Sequence, residues 1–213
     1  MPTPNLNRIS NNARNGIIVV LSALVISACA ATGTSRNAAR IEIQDKVGFT
    51  ITERARISSN VRSDYAQALK LLEQGRHDEG AALLELVADA TPELSAPRID
   101  LGIAFHRVGD LEAAEKHLLL AIESNPNHPI AHNELGIVYR KSGRFTQARQ
   151  TYESALDIYP GYHYARRNLA VLCDLYLVDL KCALENYEAY VATVPGDAEA
   201  RMWIADIRNR MAQ

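Results

Sequence analysis

Three series of small or rigid residues recur along the chain at one interval. Gly75, Gly109 and Gly143 are 34 residues apart, as are Pro92, Pro126 and Pro160, and the small residues Gly80, Ala114 and Ala148. A fixed interval of this length marks a stacked array, in which one supersecondary unit is copied and each copy buries its apolar face on the next. The clearest copy spans residues 128–161. Leu135, Gly136 and Tyr139 precede its Gly143, Ala148, Tyr152 and Ala155 follow, and Pro160 closes it. The copy before it carries Leu101, Gly102, Phe105, Gly109, Ala114, Leu118, Ala121 and Pro126. A looser first copy carries Ala68, Leu71, Gly75, Gly80, Leu84, Val87 and Pro92. Each residue type has a physical task. Gly102 or Gly136 lets a first helix approach a second, Ala114 or Ala148 supplies the small matching face, and the aromatic and leucine positions fill the space beside them. Gly109 and Gly143 end the first helix, where a left-handed backbone carries no steric cost. The prolines fall between hairpins, where a missing N–H does no harm.

This combination resembles the tetratricopeptide repeat, a helix–turn–helix unit of the same length, over about residues 61–195. The resemblance implies an all-α fold, a right-handed superhelix of antiparallel helical hairpins. A fourth copy departs from the pattern. It runs through Leu169, Ala170 and Cys173 to Pro195, which lies 35 residues after Pro160, and no glycine marks its turn. Val178 and Asp179 must form that turn, and Ala183, Tyr187 and Tyr190 supply the face of its second helix. Residues 196–213 then read as a capping helix. Asp197 can cap its start, and Trp203, Ile204, Ile207 and Met211 make one apolar stripe for the open end of the stack.

The amino-terminal part has a different composition. Residues 1–41 contain no acidic residue but hold Arg8, Arg14, Arg36 and Arg40. Arg8 and Arg14 precede an apolar run of eleven residues, Ile17 to Ser27. A membrane-spanning helix needs about 20 residues, so the run has the length of a secretion-signal core. The stretch Val25-Ile26-Ser27-Ala28-Cys29 resembles the bacterial lipoprotein signal. That resemblance implies a signal peptide at 1–28, cleavage before Cys29, and acyl chains on Cys29 as the covalent lipid and membrane anchor. Ala30 follows, where an Asp would imply inner-membrane retention, so the outer membrane, facing the periplasm, is the implied location. A plain secretory signal and an uncleaved anchor are the other readings. Residues 29–48 read as a tether. Residues 49–60 read as an extension with a short helix, and Ile41, Ile43, Val47, Phe49 and Ile51 are suited to an extended segment against the first repeat.

No catalytic signature stands out: no phosphate-cradling glycine loop, nucleophile elbow or zinc-protease pair is present. His128 and His132 are separated by Pro129 and fall at a repeat boundary, a poor metal pair. No metal and no cofactor beyond the lipid is expected. A formal net charge of -2 gives no basic excess of the kind that tracks phosphates, so no nucleic-acid partner is expected. Cys173 and Cys182 fall on the two helices of the fourth hairpin, nine residues apart. A structural disulfide and two separately buried thiols both fit that spacing.

In the repeat family the inner surface is lined by the first helix of each hairpin. The family's inward positions fall on Tyr65 and Leu69 in copy one and on Ile99, Ile103, His106 and Arg107 in copy two. They fall on Asn133, Ile137, Arg140 and Lys141 in copy three and on Tyr164 and Arg167 in copy four. Aliphatic centres with basic flanks suit a protein partner, a peptide or helix with acidic groups. The Lys and Asn clamp with which some relatives hold a terminal carboxylate is absent, because Ile137 replaces its next polar member. Lipoproteins with this repeat imply a non-enzymatic accessory or assembly factor of the envelope, serving a type IV pilus or a type II secretion secretin. A partner of a TonB-dependent transport system and a general envelope scaffold are the alternatives.

Overall fold

The computed structural model describes residues 40–44, 48–53 and 55–213, with side chains from residue 51. Residues 1–39, with the expected signal peptide at 1–28 and Cys29, lie outside the described residues. Strands β1 (Arg40–Gln44) and β2 (Gly48–Thr52) pair as an antiparallel hairpin, with Ile41 opposite Ile51 and Ile43 opposite Phe49. The alternating β-branched and aromatic residues account for a strand here. Strand β2 and irregular backbone, not the expected short helix, occupy the described residues between 49 and 58. Helix begins at Ser59, where the Ser58 hydroxyl accepts the Val61 N–H at 3.2 Å.

Nine α-helices follow among the described residues. They are α1 (Ser59–Glu73), α2 (His77–Ala90), α3 (Ala96–Val108), α4 (Leu111–Ser124), α5 (Pro129–Lys141), α6 (Phe145–Ile158), α7 (His163–Leu172), α8 (Leu180–Thr193) and α9 (Ala198–Met211). They pair as antiparallel hairpins, α1 with α2, α3 with α4, α5 with α6 and α7 with α8, and each second helix packs on the next first helix. Helices α3 and α5, and α5 and α7, also touch directly. α9 packs on α8 and closes the stack. Asp197 accepts the Ala200 N–H at 3.0 Å, Ile204 and Ile207 are buried, and Trp203 meets Tyr187 at 5.2 Å. Met211, at the far end of the expected stripe, is exposed. None of the described helices is long and apolar enough to cross a membrane.

The hairpins rest on one close contact. A Cβ added to Gly136 would sit 2.5 Å from the Tyr152 ring, and one added to Gly102 would sit 2.5 Å from Leu118 Cγ. Tyr152 and Leu118 are fully buried. Hydrogen therefore stands at these positions because a large side chain of the partner helix lies directly over the backbone. The core runs from Ala114 and Leu118 through Tyr152 to Leu172, Tyr187 and Ile207. A paired Arg144–Glu115 contact, at 2.8 and 2.5 Å, ties the third turn back to α4.

The turns inside the first three hairpins place Gly75, Gly109 and Gly143 at φ of 77°, 87° and 73°. In the fourth, a π-helical turn (Cys173–Leu177) absorbs the extra residue, and Val178 takes the left-handed position at φ 54°. A β-branched residue there is strained, because its side chain crowds the following carbonyl. Two constraints hold that turn. Asp179 accepts the Cys182 N–H at 3.0 Å, and Cys173 and Cys182 are disulfide-bonded with Cα atoms 5.9 Å apart.

Glu53 provides a contact with no local sequence signal. Its carboxylate accepts the Ser95 N–H at 2.9 Å, the Ala96 N–H at 3.3 Å and the Asn125 side-chain amide at 2.8 Å, and also bonds the Ser95 hydroxyl. It thereby caps α3 from 42 residues away, where the helix dipole favours an anion. Nearby, buried His128 begins α5. Burial is the main cause that holds its pKa down to about 4, opposed by the Glu53 charge and assisted by His132.

Three outcomes follow in chemical and thermal melts of the folded protein. Gly136→Ala should destabilise by about 1–3 kcal/mol, since overpacking against Tyr152 forces a backbone shift. Val178→Gly should stabilise by about 1 kcal/mol through relief of left-handed strain. Replacing both Cys173 and Cys182 by Ser should cost about 2.5 kcal/mol through lost loop closure, and reductant should give the same loss in the wild-type protein but none in the variant. The His128 shift gives the pH dependence. The unfolded chain binds this proton near 6.5 and the folded chain only near 4, so stability should fall as pH drops through that window. Burial also lowers the pKa of His106, His117 and His163, with the same sign. Denaturant midpoints against pH should slope there, and His128→Gln should remove roughly 3 kcal/mol of the drop.

Candidate binding surface on the first helices

One turn of helix rises about 5.4 Å, so residues three, four and seven apart share a face. The half-buried residues Leu69, Ile103, Ile137 and Val171 recur at 34 residues and align as an aliphatic row across α1, α3, α5 and α7. A basic group stands one turn toward the carboxyl ends of α3 and α5. Arg107 and Lys141 are exposed, while His106 and Arg140 are half-buried. Burial first, and then the charges of Lys141, Arg140 and Arg107, depress the His106 pKa. Arg140 lies 5.8 Å from the centre of the Tyr176 ring. Arg167 lies 5.4 Å from the Trp203 ring, so the capping helix helps position it.

One turn toward the amino ends, the structure places acids that sequence reasoning missed. Asp100 and Glu134 are also 34 apart, and Asn168 completes the row. Tyr65 on α1 donates its hydroxyl to Asp100, and the equivalent cross-repeat contact joins Asn168 to Asn133 at 2.9 Å. Between these lies Glu134, whose equivalent donor position is Ile99, which has nothing to donate. Glu134 accepts from the side chain of its own neighbour Asn133 at 3.0 Å. Burial raises both carboxyl pKa values, opposed at Asp100 by Tyr65 and Arg107 and at Glu134 by Asn133 and Arg107. A cavity of about 210 Å³ opens on this face, with Leu69, Ile103, Asp100 and Arg107 in its wall.

Two residues expected on this surface are elsewhere. Ile99 is 4% exposed and packs with Ala121 and Ala131, and Asn133 is 2% exposed within the Asn168–Asn133–Glu134 chain. A helical residue one position later points about 100° away, which is why the following residues, Asp100 and Glu134, face the groove instead. Tyr164 is 59% exposed at the start of α7, against the His163 ring. Tyr65, Leu69, Ile103, His106, Arg107, Ile137, Arg140, Lys141 and Arg167 are at least partly accessible. Among the described residues, the Cys, His and acid groups near enough to share an ion are Cys173, Asp179 and Cys182. Two of these are disulfide sulfurs and the third caps α8, so the cluster serves the turn.

Comparison with known proteins agrees with this architecture. The tetratricopeptide-repeat family profile matches residues 99–163, and a second profile of the same description matches residues 61–85. The anaphase-promoting complex subunit CDC16 of Saccharomyces cerevisiae is 28% identical over 85 residues, 40% of this chain and 10% of that protein. The peroxisomal targeting signal receptor of Kluyveromyces lactis is 33% identical over 87 residues, 40% of this chain and 15% of that one. The chain thus spans about a tenth to a seventh of the length of these relatives. MamA from Desulfovibrio magneticus superposes with a TM-score of 0.65 at 19% identity, covering 74% of this chain and 88% of that one. PilF of Pseudomonas aeruginosa does so with 0.64 at 17% identity, covering 71% and 69%. At these identities the likeness is one of fold. The first repeat domain of RPAP3, solved with an HSP90 peptide bound, superposes with 0.53 at 18% identity, covering 56% and 96%. The interval, the hairpin geometry and both profile matches together identify tetratricopeptide repeats within residues 61–163, and the fourth hairpin continues the same stack.

Proposed function

We propose that the protein is a lipid-anchored accessory factor of the bacterial envelope, which holds a partner polypeptide along the first-helix groove while a larger complex assembles. The observation that carries the binding half is the alignment of Leu69, Ile103, Ile137 and Val171 into one aliphatic row beside Arg107, Arg140 and Lys141. Such a surface offers apolar contact along its centre and electrostatic selection along its edge. The RPAP3 domain, of the same fold, was solved with a peptide bound. The envelope half rests on the Val25–Cys29 resemblance to a lipoprotein signal. Two acyl chains give stable anchoring where one gives marginal binding. The role in assembly of a pilus or secretion secretin rests on the resemblance to envelope lipoproteins that carry this repeat, and PilF shares the hairpin stack over most of both chains.

The test is in vivo crosslinking of the full-length protein, followed by identification of the captured proteins by mass spectrometry. Capture of a secretin or pilus component, lost in the double variant Arg107→Glu, Arg140→Glu, is the expected result. Cys29→Ser should move the protein out of the membrane fraction. Retention there would overturn the anchor, and capture that survives the double variant would move the binding surface off the groove.

A further inference from the structure

The groove carries opposite charges on its two sides. On α3 the order along the helix is Asp100, Ile103, Arg107, and on α5 it is Glu134, Ile137, Lys141. Positions seven apart rise about 10 Å along a helix, so an acidic row and a basic row run parallel, with the aliphatic row between them. That separation is close to the diameter of an α-helix with side chains, about 10–12 Å, and wider than an extended strand, whose neighbours in a sheet lie about 4.8 Å away. An occupant of helical width can reach both charged rows while seating an apolar stripe on Ile103 and Ile137. A single strand reaches one row or the other. Asp100 accepts from Tyr65 across the repeat and the neutral Asn168 donates to Asn133, whereas Glu134, with Ile99 at the corresponding position, accepts from the side-chain amide of its own neighbour Asn133.

From this geometry, and resting on the reading of the groove as the partner site, we infer that the occupant is an amphipathic helix. Its apolar stripe is bordered by Lys or Arg on one flank, directed at Asp100 and Glu134, and by Asp or Glu on the other, directed at Arg107 and Lys141. α3 and α5 are neighbours in direct contact, a spacing of about 10 Å that equals seven residues of ligand helix. Matching charges on the ligand therefore recur at i and i+7 on each flank. Because the two rows differ in sign, the flanks also fix direction: a ligand with its flanks exchanged fits after it is turned end for end.

The probes are three synthetic amphipathic helices of one length and one apolar stripe. The first has a Lys flank and a Glu flank, the second has those flanks exchanged, and the third has Glu on both. Each carries a photo-crosslinker at its amino end, and binding to the purified mature protein is read by fluorescence anisotropy. The two mixed-flank helices are expected to bind with equal order of affinity and to crosslink at opposite ends of the stack. The all-Glu helix is expected to bind roughly tenfold more weakly, as it sets a like charge against Glu134. The fourfold variant Asp100→Lys, Arg107→Glu, Glu134→Lys, Lys141→Glu, in which both rows change sign, should reverse the crosslinked end for both mixed helices, and its circular dichroism melt reports whether it folds. If it does not fold, the wild-type crosslink positions decide alone. Equal or tighter binding by the all-Glu helix, or the same crosslinked end for both mixed helices, overturns the inference. The partner role is judged separately, because loss of in vivo capture in the double arginine variant concerns the groove and not the flank order.

Discussion

Everything on the binding face depends on a contact that lies behind it. Gly136 under Tyr152, and Gly102 under Leu118, set how closely the two helices of a hairpin approach. Once that distance repeats, the hairpins stack in one register, and side chains at equal phase fall into rows. The aliphatic row, the basic row and the acidic row are therefore not three separate designs. They are the same three helical positions, read out across successive copies at a fixed interval. A change of residue at one such position alters one step of a row, whereas a change at the packing glycines shifts the whole register.

The fourth hairpin shows what replaces the pattern where it is broken. The extra residue cannot be absorbed by a glycine turn, so it appears as a π-helical turn followed by a left-handed valine. Both features raise the energy of the local backbone. The disulfide between Cys173 and Cys182 and the Asp179 cap act on the same few residues, and each limits how far that turn can relax. The turn in turn places Tyr176 beside Arg140 and against Phe145 at 4.8 Å. An irregular turn in copy four thus helps hold a groove residue of copy three.

Sequence alone reveals the fold because its determinants are local and periodic. The 34-residue series of Gly, Pro and Ala positions fixes hairpin length, turn and packing face at once, and Asp197 announces the capping helix. The groove was legible only in part. Positions taken from the family pattern placed Ile103, Ile137, Arg107, Arg140 and Lys141 on the accessible side, but Ile99 and Asn133 turned out buried, and their successors Asp100 and Glu134 were missed. At 100° per residue, an error of one position exchanges a core residue for a surface one. The 34-residue recurrence of Asp100, Glu134 and Asn168 was the signal that could have found them. Glu53 had no such signal. Its partners Ser95 and Asn125 lie 42 and 72 residues away, and neither composition nor period joins them.

The acidic row carries a cost that the fold alone does not explain. A half-buried carboxylate loses hydration, and burial is the leading cause of the raised pKa at both Asp100 and Glu134. At Asp100 the cost is offset by Tyr65, and the same slot one repeat further on is neutral, an Asn168–Asn133 pair. Only the middle slot combines a carboxylate with an apolar residue at the donor position. Glu134 accepts from one neighbouring side-chain amide and lies near the Arg107 charge and the Tyr152 and Tyr162 phenols. A carboxylate kept half-buried where its counterparts make cross-repeat contacts is placed to meet a ligand. In this groove an incoming cation would add an ionic partner in a place already stripped of much of its water, where an ion pair is worth more than on an open surface.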